Sequence, residues 1–342
     1  MKYLSKIFVV IALLSSSCDI LRDDPDLLFP KGPGVFILNE GNYLAGNGSL
    51  SFYSLETTEI YGNLFSIKNK RPLGDIPTYM AVDGDRAFII VNNSGTIEVI
   101  DLKTMESLET VTGINSPRQM VIRNRKGYVS SLMSDKITVI DLDNLVVEGT
   151  IEIGCNSEAM IISGNILFAA NWSGGSKIVV VDLTDDTVET TVTTGLEPES
   201  MVLDKNNRLW VLCTGGYMNE EIPRIIKINA STLSVEDELE FRTVSDNPSS
   251  LTINATGDTL YYIDEGVRRM PVIMPALPEE VLIETGGRLF YKLAVSPKNG
   301  MIMVTDAIDY LQIGDLLVYD RDGLLVDSEQ CGIIPGFMRF QE

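Results

Sequence analysis

The chain has 342 residues, 44% hydrophobic and 22% charged, a globular composition with enough apolar mass for a sizeable core. Asp and Glu total 48 against 27 Lys and Arg, a net charge of −21, which argues against nucleic acid as a partner because binding it needs clustered cations. Histidine is absent, so a Ser-His-Asp triad, a His-ligated zinc and a histidine general base are excluded.

In chain order, the first element is a targeting segment. Lys2 and Lys6 precede an apolar run from Ile7 to Leu14, and Leu14-Ser15-Ser16-Ser17-Cys18 follows. The run is too short to span a bilayer as a permanent anchor. Small residues before a cysteine resemble a bacterial lipobox, so residues 1–17 are predicted to be a signal peptide and Cys18 a lipidation site. Residues 18–33, rich in Asp and Pro, are predicted to tether the anchor to a folded domain over 34–342. Three further cysteines, Cys155, Cys213 and Cys331, form no CxxC pair and are odd in number. They are expected to act as small buried hydrophobes.

From residue 34 onward one pattern recurs. An apolar run opens with Met or Leu, a polar turn leads to a second apolar run, and a Gly/Asn-rich loop precedes an "I-x-V-I-D-L" strand and a fourth strand. The openings are Met80, Met120, Met160, Met201, Leu251, Leu293 and Phe337, separated by 40, 40, 41, 50, 42 and 44 residues. Ile97 to Leu102, Ile137 to Leu142 and Ile178 to Leu183 align as third strands. β-Branched runs bounded by Gly, Asn, Asp and Pro are strands, and four per forty residues is propeller spacing. Six complete blades can be counted. The stretch from Gly34 to Asp75 holds three further strands, and Phe337 to Phe340 holds one. The prediction is an all-β, seven-bladed β-propeller, its ring closed by the C-terminal strand pairing with the N-terminal blade.

The loops between the first and second strands of each blade, such as Asp83-Gly84-Asp85, are short and generic. Those between the second and third strands (b–c), and those leading into the next blade (d–a), are longer and richer in amides, carboxylates and aromatics. Insertions concentrated on one face of a repeat array mark a binding face. The candidate ligand-binding residues there are Asn39, Glu40, Tyr43, Tyr79, Asn92, Asn93, Arg118, Asn171, Trp172, Tyr217, Asp306, Asp309 and Tyr310. The aromatics offer flat area at low entropy cost, and the amides both donate and accept hydrogen bonds. This suits a large, amide-rich, partly apolar ligand. No catalytic residue and no metal ligand is assigned, and a binding module is expected rather than an enzyme. Glu40, Asp264 and Asp306 are the carboxylates that a metal-dependent lactonase would have to use.

The words "GVFILNEGNYLAGNGSLSFY", "VNNSGTIEVIDL", "NWSGGSKIVVVDL", "LWVLCTGGY" and "DAIDYLQIGDLLVYDRDG" resemble the YncE-like propeller lipoproteins of Bacteroidetes-type bacteria, and within them the BtuG-like cobalamin-binding group, over roughly residues 34–340. The resemblance implies a surface-exposed outer-membrane lipoprotein. It would bind cobalamin or a related corrinoid as a ligand, not as a catalytic cofactor. It would hand the corrinoid to a BtuB-type TonB-dependent outer-membrane transporter, and touch the membrane only through its lipid. Asp19-Ile20-Leu21-Arg22-Asp23-Asp24 resembles the acidic surface-export signals of such lipoproteins. A protein- or glycan-binding accessory propeller without corrinoid affinity is the alternative.

Replacing Cys18 by Ala should move the protein from the membrane fraction to an unprocessed or soluble form, read by fractionation and mass of the N-terminal peptide. A variant that still sediments with membranes and carries lipid would contradict the anchor.

Overall fold

The computed structural model describes residues 32–341. The expected signal peptide, Cys18 and most of the tether lie outside the described residues. Strands b and c of most blades are near-continuous apolar runs, because both faces of each sheet are covered by neighbouring blades. In the strand Arg86–Val91, for example, Ala87, Ile89 and Val91 pack with the blade before, and Phe88 and Ile90 with the blade after. The alternation of side chains across a strand therefore serves two interfaces at once. Seven hydrophobic clusters result, one for each pair of adjacent blades around the ring.

The sheets are seven, each of four antiparallel strands. Blades 2 to 7 follow chain order, their inner strands being Pro77–Asp83, Pro117–Arg123, Met160–Ser163, Pro198–Leu203, Ser249–Ile253 and Phe290–Val295. Outer strands such as Thr187–Thr193 and Val235–Glu240 are exposed and mostly polar or charged, which discourages these free sheet edges from pairing with other chains.

Blade 1 is built from both ends of the propeller sequence. Its order is Pro335–Gln341, Gly34–Asn39, Ser49–Ser54 and Ile60–Tyr61. Val35 lies opposite Phe340 and Ile37 opposite Met338. Tyr53 adds a 2.6 Å hydrogen bond from its hydroxyl to Asp327 of blade 7. The predicted architecture and closure are present. One detail of register shifts: Met338, opposite Ile37, occupies the place that Met80 holds opposite Ile89, so Phe337 is the counterpart of Tyr79.

One element departs from an all-strand reading. The outer strand of blade 1 is only two residues long, and a short helix, Leu64–Asn69, follows it. Its buried Leu64 and Phe65 fill the gap between blades 1 and 2. The expected buried cysteines divide. Cys213 and Cys331 are buried, with burial pushing both thiols up to about 12, whereas Cys155 is half-buried.

Deleting residues 335–342 removes the inner strand of blade 1 and exposes the edge of Gly34–Asn39. The loss of Met338 and its ladder should cost at least about 3 kcal/mol, measured by denaturant or thermal unfolding. Melting like that of the full chain would contradict the closure.

Candidate functional site

The innermost strands converge on the ring axis, and irregularities in them decide which side chains reach it. Inner strands carry register shifts between Pro77 and Tyr79, Pro117 and Met120, Pro198 and Ser200, Ser249 and Thr252, and Phe290 and Lys292. Blade 1 has the same break opposite Leu38 and Asn39. A bulge turns one extra residue out of the ladder and re-aims its side chain. Thr78, Arg118, Glu199, Ser250 and Tyr291 occupy these breaks, and together with Glu158 of blade 4 they line a cavity of about 380 Å³ at the loop-rich mouth of the axial channel.

Blade 1 supplies its member of the ring differently. Its bulge residue is Gly336, and a Cβ there would collide with Glu40 Oε1. The missing side chain leaves room for Glu40 to enter from the b–c loop. The Glu40 backbone is fixed on both sides, its N–H donating to Ile334 O at 2.8 Å and its carbonyl accepting from Ile76 N at 3.2 Å.

The resulting funnel is charged and internally paired. Arg118 contacts Glu158 in an ion pair, and Lys292 Nζ lies 3.5 Å from Glu199 Oε1. Glu199 Oε2 accepts from Ser250 N at 3.1 Å. Tyr291 donates its hydroxyl to Glu40 Oε1 at 2.9 Å. Burial pushes the Glu40 pKa up; Lys292 and the Tyr291 hydrogen bond oppose the shift without cancelling it. Burial and the Glu40 charge raise the Tyr291 phenol in turn. Burial works against the charge of Arg118, but Glu158 and Glu40 outweigh it and hold the guanidinium above its ordinary value.

Below the funnel, Tyr79, Gln119, Met160 and Met201 line both this cavity and a second one of about 420 Å³. Gln119 bridges to blade 4, donating to Met160 O at 3.0 Å and accepting from Met160 N at 2.9 Å. The Tyr79 ring packs on Phe337 with centroids 4.6 Å apart.

Glu40, Tyr79 and Arg118 thus meet in the funnel. Tyr43, Tyr217 and Tyr310 stand above it on b–c loops, 68%, 88% and 44% exposed, and Trp172 is half-buried on another. Tyr310 packs edge-on against Tyr291 at 5.7 Å, joining loop crown to funnel. Asn93 is exposed but donates to Asp75 at 2.6 Å. Asp309 caps its own loop through Leu311 N and Gln312 N, and the Gln312 amide holds its carboxyl below the usual range.

Four candidates brace the loops from inside. Asn39 has no accessible surface and donates to Ser49 and Ser51. Asn92 is buried and donates to Ser116 Oγ and Pro117 O, and Asn171 to Asn156. Asp306, also buried, accepts from Leu289 N, Ile308 N and Arg288. Their side chains are engaged by the protein's own backbone and side chains, so the accessible candidate site is smaller than the sequence suggests.

The carboxylates that a lactonase-type metal would need are not assembled. Asp264 pairs with Arg268 at 3.0 Å, Asp306 with Arg288 at 3.2 Å, and Glu40 with Tyr291. Among the described residues no three Cys, Asp or Glu side chains are grouped to hold a metal ion. Conversely, Glu158, Glu199, Tyr291 and Lys292 line the funnel but are absent from the sequence-based candidates. Their signal is a fixed offset: each lies one to two residues before the opening Met or Leu of its blade.

A family model described as a domain of unknown function, DUF5074, matches residues 33–326. The chain belongs to the DUF5074 family. No curated protein matches this DUF5074 chain. Among solved structures, a functionally unknown protein from Desulfotomaculum acetoxidans is 13% identical with a TM-score of 0.72, covering 90% of this chain and 99% of its own. A quinonprotein alcohol dehydrogenase-like protein from Bacteroides thetaiotaomicron is 16% identical with a TM-score of 0.68, covering 90% of this chain and 78% of its own. The periplasmic gluconolactonase of Pseudomonas aeruginosa is 14% identical with a TM-score of 0.66, covering 90% and 98%. At these identities the likeness is one of fold.

Burial raises the folded-state pKa of Glu40 in this DUF5074 propeller above its unfolded value, so the folded chain holds that proton more tightly. The resulting stability is complete below the unfolded carboxyl range and is lost as pH rises through the folded pKa. Glu40→Gln keeps an acceptor for Tyr291 and removes the penalty. The variant should melt above the parent near about pH 7, and the difference should shrink toward about pH 4, where glutamate is protonated in either state. A difference independent of pH would contradict the assignment.

Proposed function

We propose that this DUF5074 propeller is a binding protein that captures a corrinoid on its loop-rich face, as a lipid-anchored protein of the outer-membrane surface, and passes it to a BtuB-type TonB-dependent transporter. The observation that carries this reading is a crown of apolar and aromatic side chains, all exposed but the half-buried Trp172, around a polar axial funnel. Tyr43 and Leu44, Met133, Trp172, Tyr217 and Met218, and Tyr310 and Leu311 stand on b–c loops of five different blades. Exposed apolar groups gathered on one face and rimmed by polar ones mark an interaction site.

The dimensions favour a broad ligand. A corrin macrocycle is too wide for a 380 Å³ cavity but can lie across the crown above it. Its peripheral amides would then meet the loop amides and backbone groups, and its apolar ring edge the aromatics. A ring seated by several separate loops gains from their prior bracing, since Asn171 and Asp306 already fix the loops of Trp172 and Tyr310 before any ligand arrives. With no histidine in the chain, no protein imidazole can take the lower cobalt position, and recognition falls to the periphery.

The test is titration calorimetry with cyanocobalamin. Trp172→Ala combined with Tyr310→Ala should weaken binding by ~2–6 kcal/mol while unfolding stays close to the parent. Lys298→Ala, in an exposed turn on the far face, should bind as the parent does. Absence of corrinoid binding by the parent would return the crown to a protein or glycan partner.

A further inference from the structure

The funnel has a charge balance that the crown does not explain. It contains three carboxylates, Glu40, Glu158 and Glu199, against two cations, Arg118 and Lys292. Each cation already faces a carboxylate, Arg118 on Glu158 and Lys292 on Glu199. Glu40 is the carboxylate left over. Its one hydrogen-bonding partner among the described residues is a neutral phenol, Tyr291, at 2.9 Å.

The position is built rather than incidental. Gly336 leaves the space that Glu40 occupies, and the Glu40 backbone is held by two further hydrogen bonds. Nearby, the enclosed Glu158 Oε2 has no hydrogen-bond partner among the described residues. A partly enclosed cavity whose lining carries one more carboxylate than cations attracts a positive charge and repels a negative one. The funnel walls include the rings of Tyr79, Tyr291 and Phe337, which suit an alkyl chain bearing that charge.

We propose that the axial funnel is a binding site for one organic ammonium group, with Glu40 as its counter-ion. The ligand class is a primary alkylammonium, or the aminoalkyl arm of a larger molecule lying on the crown. A corrinoid on the crown is not required for it, so the two readings fail separately.

The experiment is a titration of the full folded protein with n-butylammonium chloride, followed by the ¹³C-methyl signals of Met160 and Met201, which line the cavity. Saturable shifts are expected for n-butylammonium and none for butyrate. Glu40→Gln should weaken the affinity by roughly 10-fold, as loss of a partly buried counter-charge does. Lys292→Met, which deepens the negative charge, should tighten it by about 3-fold or more. These opposite directions separate a charge effect from a folding defect. Butyramide producing the same saturation as n-butylammonium, an unchanged affinity in Glu40→Gln, or no shift at any concentration of the ammonium would overturn the proposal.

Discussion

Seven twisted sheets arranged face to face form a disc only if the ring closes, and here the closing blade is itself assembled by backbone hydrogen bonds. The ladder between Gly34–Asn39 and Pro335–Gln341 joins the two ends of the propeller sequence within one sheet. Between neighbouring blades all round the ring the contact is mainly side-chain packing, which tolerates small adjustments. At the closure a register slip of one residue would turn Met338 and Phe337 to opposite faces and empty the clusters on both sides of blade 1. The ring diameter, the channel and the spacing of the loops follow from that ladder.

The same ladder sets the chemistry of the axis. Pro335 pairs with Asn39 and Phe337 with Leu38, so the residue left out of the ladder is Gly336, and Glu40 fills the space it leaves. One glycine at the closing strand thereby converts a loop carboxylate into a member of the axial ring. Its hydrogen bond to Tyr291 spans the seam between the last blade and the first. Closure and candidate site are physically the same region, and damage to the seam should be felt at both.

The architecture is legible in the sequence because both faces of every sheet are buried. Strands such as Arg86–Val91 and Lys177–Asp182 read as unbroken apolar runs, and their recurrence every forty residues counts the blades. The candidate site is less legible, for a reason seen in Asn39, Asn92 and Asn171. These residues stand at similar places in blades 1, 2 and 4, and recurrence is what a structural brace produces, since each loop has polar groups to satisfy. A ligand on the axis is not sevenfold symmetric, so the groups that meet it differ from blade to blade. Arg118, Glu158, Glu199 and Tyr291 break the repeat at one equivalent position, and that break is the better signal. The helix Leu64–Asn69 escaped because it packs where the repeat is incomplete, beside a two-residue outer strand.

The central claim is that one face, the crown of b–c and d–a loops above the funnel, holds the ligand. Backbone hydrogen–deuterium exchange with and without cyanocobalamin tests it most directly, because it reads every loop at once and requires no substitution. The account predicts slowed exchange in the b–c loops around Tyr43, Trp172, Tyr217 and Tyr310, and unchanged exchange in turns such as 83–85 and 297–300 on the far face. Protection confined to the far face or to the outer strands, or no protection with cyanocobalamin in excess, would contradict it.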